Sequence, residues 1–248
     1  MSEFKFPTET VELPTKGLIY SKDNPLSSGK VEMKYMTAKE EDILTNQNYI
    51  KQGVVIDKLL KSLIVDKKIN YDEMVTGDRN AVLISARILG YGKDYNFKYD
   101  GEEVTIDLTE LDTRYLDETT MLDGKNEFAY TLPYTNTSIT YKLTTNRDEK
   151  KIESEIKGLK KIDKNASPEL STRLKHMILS VNGETDEKVV RDFVDNYMLA
   201  RDSRAFREHN REPQPDIEMK FNFMGANGVE EDAVVPMTAG FLWPDTGV

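Results

Sequence analysis

Residues 82–108 read VLISARILGYGKDYNFKYDGEEVTIDL, and the apolar spacing changes period in the middle of that stretch. Val82, Leu83, Ala86 and Leu89 recur at helical intervals and give a helix over about residues 79–89 a buried face. Asp78 is placed to cap it, and Gly90 is placed to end it in a left-handed turn. Tyr95, Phe97 and Tyr99 then alternate, Asp100-Gly101 supplies a turn, and Val104, Ile106 and Leu108 alternate back. Period two on both sides of an Asp-Gly turn is the pattern of a β-hairpin. A helix that runs directly into a hairpin predicts an α+β chain.

The flanks extend this reading. Residues 1–30 carry Phe4, Phe6, Val11, Leu13, Leu18 and Ile19 without helical period, and Pro7, Pro14, Gly17, Pro25 and Gly29 interrupt them. An extended N-terminal arm is expected there. Val31, Met33 and Tyr35 alternate as a strand, and Thr37-Ala38-Lys39-Glu40 has the spacing of a capping box for a short helix ending near Asn46. Val55, Ile56, Leu59, Leu60, Leu63 and Ile64 form the broad stripe of a second helix. Residues 31–93 are thus read as a helical part with one strand. A second strand pair, residues 127–132 and 138–143, completes a β-rich insertion over 94–145.

Helices return over residues 146–212, which are expected to pack on 31–93 and share its core. Ile152, Ile156 and Leu159 give one run, and Leu170, Leu174, Met177, Ile178 and Val181 give another, ended by Asn182-Gly183. Val189, Phe193 and Tyr197, with Val190, Val194 and Met198 beside them, predict a long helix from about Glu187 past Ala200. Residues 213–248 are read as a β-hairpin turning at Asn227-Gly228 and an apolar tail. The expected architecture is a helical core with a central β-hairpin insertion and a C-terminal β-hairpin.

Composition removes several function classes. The 248 residues hold 34 Lys+Arg against 44 Asp+Glu, a net charge of −10, and no Cys. Disulfide scaffolds, thiolate-bound zinc and Cys nucleophiles are excluded. Apolar runs such as Gly53-Val54-Val55-Ile56 fall far short of the roughly 20 residues of a membrane span. The first residues, Met1-Ser2-Glu3-Phe4-Lys5, lack the basic and apolar regions of a signal peptide. The acidic balance argues against generic nucleic-acid binding, which rests on neutralising phosphates.

The reactive constellations are also missing from the sequence. His176 and His209 are far apart and neither is spaced for a triad. Residues 94–99 begin like a calcium loop but place Lys98 and Tyr99 where a ligand and a Gly are needed. Gly90-Tyr91-Gly92-Lys93 lacks the first Gly and the Ser/Thr of a phosphate loop. No cofactor, metal or catalytic residue is therefore expected. What remains are partner-binding candidates. Arg201, Arg204, Arg207 and Arg211 share one helical face, which fits either docking on an acidic partner or nucleic acid, or a solvated face with local pairs such as Arg204 with Glu208. Phe4 and Phe6 in the arm, and Phe241, Leu242 and Trp243 in the tail, are aromatic and apolar groups suited either to an interface or to the chain's own core.

Four stretches carry a resemblance beyond this. Met36-Thr37-Ala38-Lys39-Glu40-Glu41-Asp42-Ile43-Leu44-Thr45, the apolar helix over residues 54–64, Ala86-Arg87-Ile88-Leu89-Gly90-Tyr91-Gly92 and Phe241-Leu242-Trp243-Pro244 resemble the baseplate protein family of T4-like contractile-tailed bacteriophages, the group that contains the baseplate hub subunit. The clear part covers about residues 30–110 and the last few residues. The resemblance implies a structural subunit of the virion's tail baseplate, present in the host cytoplasm during assembly. Its partners would be other baseplate and hub proteins, with self-association left open, no membrane and no specific nucleic acid. A hub-assembly chaperone that leaves the particle is the alternative. Zinc, which a Cys-x-x-Cys beside the first hairpin implies for some relatives, does not carry over, because residues 95–106 hold no Cys.

Overall fold

A computed structural model describes residues 7–122, 124–165, 167–211, 214–224, 230–237 and 239–243. The architecture is α+β, with eight α-helices and small antiparallel sheets among the described residues. Two apolar cores organise it.

The first core begins with β1 (Thr8–Glu12) and β2 (Lys30–Lys34), antiparallel with Val11 opposite Val31. Helices α1 (Ala38–Leu44), α2 (Gln47–Gln52), α3 (Val55–Leu63) and α4 (Thr76–Tyr91) follow. Leu59, Leu60, Leu63, Val82 and Ala86 are buried together, as the two stripes predict, and Leu44 of α1 joins them. The central hairpin is β3 (Asp94–Tyr99) and β4 (Glu102–Asp107), in the register Tyr95 opposite Ile106 and Phe97 opposite Val104. Its turn places Asp100 at φ 49° and Gly101 at φ 86°, the double left-handed geometry that Asp-Gly favours.

The arm is folded onto its own chain. Val11, Leu13, Ile19 and Leu26 are buried, and the Leu13 N–H donates to the Gly29 carbonyl. Asp78 is not the cap of α4, whose cap is Val75; it lies fully buried inside the first turn. Its carboxylate accepts from Thr15 N–H (3.0 Å), Thr15 Oγ1 (2.7 Å) and the Tyr20 hydroxyl (2.6 Å), which fastens the arm to the helix. Gly90 does not terminate α4 either. The helix runs one residue past it to Gly92 at φ 85°, and a Cβ on Gly90 would lie 2.7 Å from Met36 Cε, so Gly90 serves close packing.

The second core is built on β6 (Phe128–Thr131), β7 (Ser138–Tyr141) and β8 (Ile178–Val181) in the order β6-β7-β8. A two-residue β5 (Thr113–Arg114) precedes them. Helices α5 (Asn146–Ile162), α6 (Glu169–Met177), α7 (Glu187–Asp192) and α8 (Ala200–Arg211) complete this half. Three expectations are corrected. The stripe from Leu170 to Val181 is not one helix: Ile178–Val181 leaves α6 and pairs with β7, Val181 opposite Ile139. The long helix past Glu187 is broken by a π-helical turn, Phe193–Tyr197, and by Met198 in extended geometry. The described residues of 146–212 meet 31–93 through α5 and residues 71–73 but do not enter the first core; Leu174, Met177, Val190, Val194 and Phe206 are buried with the β6–β8 sheet.

The halves meet through a polar seam. Lys150 pairs with Asp57 (2.5 Å) and Asp72 (2.6 Å), Lys61 pairs with Asp72 (2.8 Å), and Asn146 Nδ2 donates to Asp72.

The C-terminal part returns to the first core through β9 (Asp216–Ile217), paired with β5, and then β10 (Lys220–Met224) and β11 (Glu230–Val234), paired with each other. Phe221 stands edge-on to Phe97 and Tyr99, with centroids 5.3 Å apart in both pairs, so the terminal hairpin lies against the central one. Asn227-Gly228 lies outside the described residues. No helix among the described residues is long and apolar enough to cross a membrane.

Two measurements test this packing. A Cβ on Gly77 would lie 1.8 Å from the Pro215 carbonyl oxygen, a backbone atom that cannot rotate away. Gly77→Ala should cost more than about 2 kcal/mol in urea unfolding, and an unchanged midpoint would contradict the contact. Glu40 is fully buried and accepts from Lys34 Nζ, Ser62 Oγ and the Thr37 N–H and hydroxyl. Burial opposes its charge, but these donors outweigh it and hold the carboxyl at about 2. A depressed folded pKa means the stabilisation is full above the ordinary glutamate value of about 4.3 and is lost as pH falls toward 2. Glu40→Gln should therefore flatten the decline of unfolding free energy with acid in that window.

Candidate partner-docking cleft

The sequence-predicted contact residues divide sharply in the structure. Phe4 and Phe6 lie outside the described residues. Phe241 and Leu242 are buried in the first core, Phe241 edge-on to Tyr95 at 5.0 Å, so they finish the chain's own core and offer no partner surface. Trp243 is half-buried there, and its indole N–H donates to the Leu44 carbonyl (2.9 Å). The aromatic tail is used internally because the last turn of α1 leaves carbonyls without helical partners, and the indole donor satisfies one of them.

The four arginines do lie on one helix, but they do different work. The register of α8 is set by Asp202, fully buried, which accepts from the backbone N–H groups of Tyr134 and Thr135 (2.9 and 3.2 Å). Arg201 then sits over the Tyr134 ring, 4.7 Å from its centroid. Arg204 pairs with Glu208 one turn on (2.9 Å), the local pairing its spacing suggested. Arg207 and Arg211 have no ion-pair partner among the described residues, and both line a cleft.

That cleft, of about 460 Å³, lies where the two halves meet. Its walls come from the start of α4, from α5 and α6, from the end of α8 and from residues 214–216. Two further arginines reach it, Arg79 from α4 and Arg173 from α6. Arg173 is tied to Glu149 at 2.6 Å. Arg79 makes one side-chain hydrogen bond, to Asn146 Oδ1 (3.3 Å), and its buried Nε has no partner. Asp216, the second carboxylate of the lining, accepts from Asn80 (3.0 Å). The floor is apolar, with Phe206, Leu174 and Met177 below, and Leu170 is 44% exposed at the rim. Asn210, only 7% exposed, belongs to the same lining and leaves its Oδ1 unpaired. An apolar floor edged by uncompensated cations can hold an anionic group that carries an apolar neighbour.

Arg79, Arg173 and Asn210 were not singled out by the sequence. Arg79 did carry one signal: a cation in the first turn of a helix opposes the helix dipole, so it needs another reason to be there. Arg173 and Asn210 carried none, since only the fold brings them beside Arg207. Among the described residues no group of three or more His, Asp or Glu is placed to hold a metal ion. In comparisons with known proteins, the chain matches no family model, no curated protein and no solved structure.

Proposed function

We propose that this chain is a structural subunit of the baseplate hub of a contractile-tailed bacteriophage, and that it works through protein–protein contacts rather than catalysis. One observation carries the reading beyond the resemblance itself. The stretches that resemble the baseplate family are scattered through the sequence, yet their described parts pack as one unit. Leu44, Leu59, Leu60, Leu63, Ala86, Phe241 and Leu242 share the first core. Trp243 bonds to the end of α1, and Gly90 packs against Met36. Motifs that pack as one unit are what a shared structural unit requires. The residues that would face partners are Arg207 and Arg211 on the cleft, with Arg201 and Arg204 beside them on the exposed face of α8.

An assembly chaperone that leaves the hub is the second reading. Apolar arms at the two ends would serve either role, and the described part of the N-terminal arm and Phe241–Leu242 are covered by the chain itself, so retention in the particle is what separates the two.

The test is quantitative mass spectrometry of purified tailed particles beside isolated baseplate intermediates. A fixed copy number in both is the expected result. Presence in the intermediates alone would make the chain an assembly factor, and absence from both would overturn the baseplate assignment.

A further inference from the structure

The cleft offers more chemistry than a generic contact face. Among the described residues Arg79, Arg207 and Arg211 line it without a carboxylate partner, in a chain where acidic residues outnumber basic ones by 44 to 34. Arg79 bonds only to Asn146 and Arg207 Nε to the Ser203 carbonyl, so among the described residues no carboxylate offsets these three cations round one cavity. Phe206, Leu174 and Met177 line the same cavity, and Leu170 stands exposed beside them. Asn210 adds a nearly buried carbonyl oxygen with no donor.

These three features select among anions. Inorganic phosphate would satisfy the arginines, but it has no apolar part for the floor. A nucleic-acid backbone brings phosphates in an extended row, whereas this is a single cavity in a chain of net charge −10. A polypeptide supplies all three kinds of group: carboxylates, an apolar side chain and backbone N–H donors.

We propose that the cleft between α4, α6 and α8 receives an acidic segment of a partner protein, with an apolar side chain on the Phe206–Leu174–Met177 floor and flanking carboxylates on Arg79, Arg207 and Arg211. The proposal rests on the reading that the chain acts through protein contacts, and it supplies the chemistry of one such partner.

The test uses the full chain and fluorescence anisotropy. The probe is a labelled peptide of pattern Asp-Glu-Leu-Asp-Glu. Its controls are Asn-Gln-Leu-Asn-Gln, Asp-Glu-Ala-Asp-Glu and a labelled short oligothymidylate, with inorganic phosphate as competitor. The acidic Leu peptide should bind, weaken with added salt, and lose about tenfold in affinity when either its charges or its Leu is removed. Arg207→Gln with Arg211→Gln should cause a similar loss, while Lys98→Gln, on the β3–β4 hairpin and outside the cleft, should leave binding unchanged. Thermal melting checks that the variants are folded; if the double variant is not, the peptide controls decide alone. Equal binding of the uncharged peptide, tighter binding of the oligothymidylate, full displacement by phosphate, or no binding of the acidic peptide would each overturn the proposal. The two readings fail separately: peptide binding by a chain absent from phage particles removes the baseplate role alone, and a particle subunit that ignores the peptide removes the cleft's occupant alone.

Discussion

The fold depends on a carboxylate that has left water. Asp78 is fully buried in the first turn of α4, and among the described residues the Thr15 N–H, the Thr15 hydroxyl and the Tyr20 hydroxyl donate to it. Burial pushes its carboxyl upward in pKa, and the bonds from Tyr20 and Thr15 pull the other way. A buried carboxylate without partners is costly, so the arm has one acceptable position. That position has consequences on both sides. Leu13 and Leu26 enter the first core, while Ile19, just beside Tyr20, enters the second. The Tyr20 oxygen also accepts from the N–H of Val75, the cap residue of α4, and Val75 itself belongs to the second core. One polar knot therefore joins the arm, the longest helix of the first half and the apolar interior of the second.

What could be read from the sequence was what neighbours decide. The β3–β4 hairpin followed from alternation and one turn, and Glu40 bonds back to the Thr37 N–H (3.1 Å) as the capping spacing requires. Glu40 also shows where such reading ends. The same side chain accepts from Lys34 and Ser62, the latter on α3, and nothing local announces that a capping Glu will be buried. Ile178 and Val181 failed for a related reason. A short apolar run after a helical stripe fits either period, and the decision came from β7, which had a free edge for Val181 and Ser180. The aromatic tail was ambiguous in principle, since a ring suited to a partner's pocket is equally suited to the end of α1. The site was legible only at Arg207 and Arg211; Arg79 lies more than a hundred residues away in sequence, and topology alone unites them.

The position of the cleft ties its shape to the seam between the halves. Its walls belong to α4 on one side and to α6 and α8 on the other, so no single core holds it open. Near the same boundary Asp72 is gripped by Lys150, Lys61 and Asn146. Burial opposes the Asp72 charge, but the two lysines prevail and hold its carboxyl at about 2. These pairs are partly exposed, which makes the seam weaker and more salt-sensitive than either core. A segment that bridges Arg79 on α4 to Arg207 and Arg211 on α8 would span the same boundary. Because it would bind only the docked arrangement, it would favour that arrangement by linkage. The cations that have no carboxylate partner among the described residues are thus placed where an incoming acidic partner would add to the attachment that the chain's own seam provides least strongly.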